Sequence, residues 1–334
     1  MLRGWVTGPM LVAFAVFGTL PLWIASVGLY SYLGVEILIW CIFALGFNIL
    51  LGYTGLPSFG HGAYFGIGAY AMGLTQLGLY PSLWLGLLAA TLVAAALAAL
   101  VGLFISHRRG IYFALMTLAF GQMFFFIASK WTSVTRGEDG LLNIKRLPVD
   151  LGVVAFDLRS NTALAYFAFA CFVVTVVVLW RLVHSPFGTV LRAIKQNEGR
   201  AAFLGYNVFL YKWASFTLSA AVAGFAGGLF AMAQNGAYVQ AMSLQWSGIV
   251  VLMTLIGGGL VSFWGPVVGA VVFFVARDLL GAYTETWLLW YGLMFMGVVM
   301  FKPEGVVGAW RDLVRRLGAR RRRTAVGTAA VVGR

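Results

Sequence analysis

Acidic side chains are scarce: ten Asp and Glu occur in 334 residues, and charged residues of both signs make up only 10%. A soluble domain carries about a quarter charged residues, so this composition excludes an ordinary soluble domain. Few of the carboxylates fall in apolar runs, which weakens a stand-alone secondary transporter driven by intramembrane ion-coupling acids. The two cysteines, Cys41 and Cys171, lie in apolar runs without a CxxC or Cys/His neighbourhood; they read as packing residues and leave the redox compartment open. There is no GxxxxGK[ST] phosphate loop, HExxH or GxSxG, so the chain offers no P-loop ATP site of its own and no clustered catalytic set. It is read as neither an enzyme nor a cofactor protein.

Hydrophobic residues make up 61% of the sequence. Mean hydropathy is +0.92. Apolar runs near the roughly 20 residues that cross a bilayer as a helix recur along the chain, without the alternating short segments of a barrel. The expected fold is an all-α polytopic membrane protein of about ten spans: Met10–Tyr30, Tyr32–Leu51, Gly60–Leu77, Leu83–Ile105, Ile111–Ser129, Ala163–Leu182, Lys212–Ala233, Ser247–Leu260, Pro266–Leu280 and Thr284–Met300. The first is read as a retained span, with a cleaved signal as the alternative. The membrane domain then covers 1–310, with an outward-facing loop at 130–162, an inward-facing loop at 184–211 and a basic tail at 311–334.

Ten spans put both termini on one side, and the basic residues say which. Seventeen fall on the side of the termini, nine of them from Lys302 to Arg334, against six opposite, which predicts cytoplasmic termini. The net charge of +13 is thus an orientation signal rather than a nucleic-acid footprint. For Arg311 to Arg323 two readings stay open, a solvated tail anchor and contact with anionic membrane lipid.

The stretch "GYTGLPSFGHGAYFGIGAYA", residues 52–71, breaks the apolar pattern with six glycines, Pro57 and His61. It has an echo: Gly55-Leu-Pro-Ser-Phe59 against Gly259-Leu-Val-Ser-Phe263, each leading into a short apolar span. Glycine-interrupted segments in corresponding positions point to a transport pathway, because unwound backbone exposes amides to a polar substrate. The pathway candidates are Gly52, Tyr53, Thr54, Gly55, Ser58, Gly60 and His61 in the first segment, and Gly257, Gly258, Gly259 and Ser262 in the second. Close helix packing through small residues is the competing reading. His61 is either a satisfied packing residue or a substrate contact; nothing stands beside it at metal spacing. Glu36 and the Arg277-Asp278 pair are the other charges in or beside spans, with snorkelling to the surface as the competing reading.

The loop "HSPFGTVLRAIKQNEGRAAFLGYNVFLY", residues 184–211, contains two helix-compatible pieces, Thr189–Lys195 and Asn197–Leu204, with Asn197 as cap and Gly205 as stop. A short surface helix rich in small residues suits a cleft on a soluble partner; lying on lipid is the alternative.

These motifs, with "GIYFALMTLAFGQMFFF", "TRGEDGL", "YKWASFTLSAAVAGFAGGLFA" and "GGGLVSFWGPVVGA", occur in one order over about residues 35–307. Together they resemble the larger permease type of bacterial branched-chain amino-acid ABC importers. The resemblance implies an inner-membrane subunit working with a second permease, two cytoplasmic ATP-binding subunits and a periplasmic substrate-binding protein. ATP would be held by those partners. It places ATPase coupling on Arg192, Ala193, Ile194, Asn197, Glu198, Arg200, Ala201, Leu204 and Gly205. The run Ala201-Ala202 with distal Gly205 is similar to the Glu-Ala-Ala pattern of importer permeases, although Arg200 stands in the place of the acid. Outside, Gly137, Asp139 and Gly140 correspond to the family's Thr-Gly-Gly-x-Asp-Gly-Leu loop, with Arg136 replacing its first glycine; Asp139 reads as a turn residue or a binding-protein contact. Urea and short amides use similar permeases, so the substrate stays open, and a channel remains the further rival.

Overall fold

The computed structural model describes residues 8–23, 31–150, 155–260, 262–284, 286–301 and 305–310. The tail at 311–334, and with it the lipid-contact reading, lies outside the described residues, as does Lys302. Among the described residues, besides a last helical turn at 305–310, are thirteen α-helices. They are α1 (Gly8–Trp23), α2 (Ser31–Asn48), α3 (His61–Leu74), α4 (Leu83–Ile105), α5 (Gly110–Lys130), α6 (Thr132–Thr135), α7 (Asn161–His184), α8 (Pro186–Gln196), α9 (Glu198–Phe203), α10 (Val208–Gln234), α11 (Leu244–Gly257), α12 (Gly265–Tyr283) and α13 (Trp287–Phe301). The fold is all-α and polytopic. The ten helices other than α6, α8 and α9 fall on the ten apolar runs, and six of them are long and apolar enough to cross a membrane. Four two-residue strands, β1 (Leu141–Leu142), β2 (Val149–Asp150), β3 (Ala155–Phe156) and β4 (Gly236–Ala237), form the antiparallel pairs β1–β4 and β2–β3.

The chain forms two compact units, Met1–Val251 and Leu252–Arg334. In the first, α10 lies against α2, α3 and α4, and α2 also lies against α7. Helix α4 shows how such a core is written in an apolar sequence. Its buried positions Gly86, Ala90, Ala94, Ala98 and Gly102 recur every four residues and form one small-residue stripe, while Leu85, Leu88, Leu92, Leu100 and Leu103 are exposed. The small residues let the neighbouring backbone approach closely, and Leu83, Leu87, Val101 and Ile105 are buried on the flanks of the stripe. The backbone of Gly224 on α10 comes so close to Ala90 and Ala94 that a Cβ there would overlap both.

The boundaries differ from the sequence expectation in an informative way. Lys212 was expected to mark the start of its span, but α10 begins at Val208, capped by Asn207 Oδ1, which accepts from Leu210 N at 3.2 Å. Lys212 is instead buried, its Nζ donating to Arg108 O at 2.6 Å and pairing with Glu198 at 3.3 Å. Glu36, 8% exposed within α2, is buried rather than snorkelling. The Arg277 guanidinium lies 4.5 Å from the Phe274 ring centroid.

Candidate functional site

Helix α2 does not end cleanly at Asn48. It widens into a π-helical turn, Ile49–Thr54, and stops at Gly55, whose φ of +77° only glycine adopts without strain. Gly55 N and Leu56 N both donate to Leu50 O. The chain then runs without regular structure from Gly55 to Gly60 and restarts as α3 at His61. All of the first group of pathway candidates, Gly52 through His61, therefore belong to one interrupted segment between α2 and α3 in the first unit.

His61 sits at the turn of that segment and is fully buried. Ser219 Oγ on α10 gives its single hydrogen to Gly46 O at 2.8 Å, so at 2.7 Å it accepts from His61 Nε2–H. Nδ1 is then the lone-pair nitrogen and accepts from Ser58 Oγ–H at 3.3 Å. Rings of Phe43, Phe47, Tyr64 and Phe216 surround the imidazole. Both ring nitrogens are thus occupied by protein hydroxyls in a neutral tautomer, which is the geometry of a structural core histidine. Among the described residues no three His, Cys, Asp or Glu side chains gather into a metal-binding group.

The amides that the break frees are also occupied. Phe59 N donates to Thr117 Oγ1 at 3.2 Å, and Gly62 N to Ser247 Oγ at 2.8 Å. A Cβ at Gly60 would overlap the carbonyl of Thr117 on α5, and one at Gly66 would overlap Met242. Gly60 thus admits neighbouring backbone and Gly66 a neighbouring side chain.

The second group lies in the second unit and is built differently. Helix α11 runs to Gly257; Gly258 has φ +91°, Gly259 N returns to Thr254 O at 2.8 Å, and Ser262 N donates to Gly258 O at 3.0 Å. Helix α12 starts at Gly265, six residues past Gly259, as α3 starts six past Gly55. A Cβ at Gly257 would overlap Gly265 O, and one at Gly269 would overlap Met253 O. This turn is sealed by backbone against backbone.

The loop expected to couple forms an elbow, α8 followed by α9. Asn197 Oδ1 caps α9 by accepting from Arg200 N at 3.0 Å, and Gly205 ends it at φ +86° with open space around it. Val190, Ile194 and Ala201 are buried together, with Val208 and Tyr211 packed on them. Ile194 and Ala201, two of the expected coupling residues, therefore hold the elbow together from inside. Arg192, Asn197, Arg200, Leu204 and Gly205 are exposed, while Ala193 and Glu198 are partly buried. Glu198 reaches Lys212 and, at 4.0 Å, Arg109. The most exposed apolar side chain of the elbow is Phe203, 94% accessible beside Leu204 at 74%. In the sequence Phe203 stands within the second helical piece as one of the residues, with Arg200, that would also permit a helix lying on lipid. Lys195, which the sequence offers only as a basic residue at the end of the first helical piece, donates from Nζ to Gly52 O at 2.7 Å, and its partial burial lowers its pKa from the ordinary lysine value.

At the opposite end of the first unit, Gly137–Asp139 is a single 3₁₀ turn with Asp139 exposed. Gly140 follows, where a Cβ would overlap Ala237 O across the β1–β4 pair. Thr135 Oγ1 ties the turn to α5 by donating to Ala128 O at 2.6 Å and accepting from Gly137 N at 3.3 Å.

Against known proteins, the family described as "branched-chain amino acid transport system / permease component" matches residues 29–302. The high-affinity branched-chain amino acid transport system permease protein LivM of Salmonella typhimurium is 29% identical over 298 residues, covering 83% of this chain and 70% of that protein. LivM of Escherichia coli is 28% identical over the same shares. The nucleoside ABC transporter permease protein NupC of Lactococcus lactis is 26% identical over 213 residues, 60% of this chain and 65% of NupC. No solved structure matches the chain.

Proposed function

The chain belongs to the family of branched-chain amino acid transport permeases, and from that premise we propose that it is the membrane subunit of an ATP-driven importer moving aliphatic amino acids by alternating access. Family membership makes it an integral membrane permease of an ABC transporter complex, a subunit that is not itself an enzyme. In our reading ATP is hydrolysed by two cytoplasmic partner subunits, a second permease completes the membrane part, and a periplasmic binding protein delivers substrate to the end bearing Gly137–Gly140. The elbow end, with Arg108, Arg109, Arg192, Lys195, Arg200 and Lys212, faces the cytoplasm of the inner membrane, as do both termini.

The observation that carries this reading is the elbow. Phe203 and Leu204 are exposed apolar side chains on a frame set by Ala201, Ile194, Asn197 and the Glu198–Lys212 pair, and a cleft on a partner would cover them. A knob held rigidly on the membrane subunit can both seat in a partner and move with it. Nucleotide-driven movement can bias the permease only if the ATPases bind its inward and outward states unequally, and a rigid knob supplies that difference.

The test is uptake of labelled leucine into proteoliposomes holding the co-purified complex and its binding protein, with and without ATP on the ATPase side. ATP-dependent accumulation is expected; accumulation driven equally well by an ion gradient without ATP overturns the mechanism. The nucleoside transporter relative favours a second reading in which the same machine carries another substrate. Competition of leucine uptake by excess nucleoside, urea or short amides separates the two.

A further inference from the structure

Gly52 is a pathway candidate and Lys195 belongs to the elbow, 143 residues later, yet Lys195 Nζ donates to the Gly52 carbonyl at 2.7 Å. The carbonyls of a helix's last turn lack intrahelical partners, and a cation is favoured at that negative end of the helix dipole. Lys195 therefore caps the C-terminal end of the α2 π-turn from outside. The fit is mutual: a Cβ on Gly55 would press against Lys195 Cγ at 2.9 Å, so the glycine that ends the turn also leaves room for the lysine stem.

The position of this contact matters. At about 1.5 Å per residue, Gly52 lies roughly 9 Å further along α2 than Gly46. Gly46 is the level at which Ser219 and His61 fix the restart of α3. The segment between is anchored deep in the unit by side chains and at its outer turn by Lys195. Helix α8 also packs directly on the π-turn, and the elbow has a further polar link, Glu198 with Lys212 and Arg109, which runs to the α4–α5 turn and the foot of α10.

We propose that Lys195 is the positioning residue that transmits movement of the α8–α9 elbow to the helix break at Gly52–His61, so that without its cation ATP is hydrolysed without proportionate transport. This rests on the importer reading above. The cation links two elements whose relative position would change between states, and an allosteric coupling of this kind is a free-energy difference carried by such contacts.

The test uses the complete transporter in proteoliposomes, with leucine uptake and ATP hydrolysis measured in the same preparation for wild type, K195M and K195R. For K195M the expected result is ATPase activity within about twofold of wild type with substrate moved per ATP down about tenfold, a usual size for one coupling contact. K195R, which keeps a cation within reach, is expected to restore most of the ratio, a rescue that a stem acting only by packing would not show. If K195M fails to assemble, K195Q, shorter and uncharged, gives the same readout. An unchanged ratio of transport to hydrolysis in K195M or K195Q overturns the proposal while leaving the importer reading intact. A wild-type complex that shows no ATP-dependent uptake overturns the reading beneath it.

Discussion

The two helix breaks carry nearly the same five residues, Gly-Leu-Pro-Ser-Phe and Gly-Leu-Val-Ser-Phe, and each leads to a helix starting six residues after its first glycine. They are closed by different means. In the first, at Gly55–His61, the freed amides are met by the hydroxyls of Thr117 and Ser247 and the restart of α3 is braced by the Ser58–His61–Ser219 chain. In the second, at Gly257–Gly265, backbone meets backbone with no side chain between, and Gly265 stands where the first has His61. Both breaks contain a backbone contact without slack, Gly60 against Thr117 and Gly257 against Gly265, and the first adds exchangeable hydrogen bonds to side-chain hydroxyls. A hydroxyl can trade one partner for another at small net cost, whereas two glycine backbones in contact can only separate. The exchangeable hydrogen bonds belong to the first break, which is also the one joined to the elbow through Lys195.

The largest expected effect tests the part common to both. Gly60→Leu and Gly257→Leu each force a side chain into a neighbouring carbonyl, at a cost of more than about 3 kcal/mol. Both are expected to lose the folded, monodisperse protein in detergent; a wild-type melting profile for either would show that its break is open rather than packed. Next, His61→Ala removes both hydroxyl partners and leaves a cavity, which should cost about 2–4 kcal/mol in thermal unfolding. An unchanged melting profile with uptake lost would instead make His61 part of the pathway. Smaller still, Ser247→Ala and Thr117→Val each leave one amide unmet, for about 1–2 kcal/mol apiece. The two hydroxyls serve separate amides, so the losses should add in the double variant. A shift in uptake KM without a shift in melting would mean that substrate replaces these hydroxyls during transport.

Much of this fold was legible in the sequence because lipid imposes a simple rule: the ten apolar runs stand out, and Asn197 with Gly205 brackets α9 by local chemistry alone. Long-range pairing was not legible. Glycines in 52–71 fit pathway and packing equally until their neighbours, such as Thr117 and Met242, are known. His61 is explained by Ser219, 158 positions away, and Lys195 by Gly52. Lys212 misled the boundary reading because a lysine inside a span signals an end unless a carboxylate and a helix-end carbonyl wait for it, and here Glu198 and Arg108 do. Ala201 belonged to the coupling motif, yet only the packed elbow separates it, facing inward, from Phe203, facing out.

The most direct measurement is affinity purification of the tagged protein from its own membrane in mild detergent, wild type beside the Phe203→Ala, Leu204→Ala double variant, with mass spectrometry of what co-elutes. Both exposed side chains can be removed at a stability change within about 0.5 kcal/mol, so the variant should fold normally. The predicted result is a second permease-like chain and P-loop ATPase chains with wild type, and loss of the ATPases alone with the variant. Wild type eluting without any ATPase, or the variant retaining its full complement, would contradict the account.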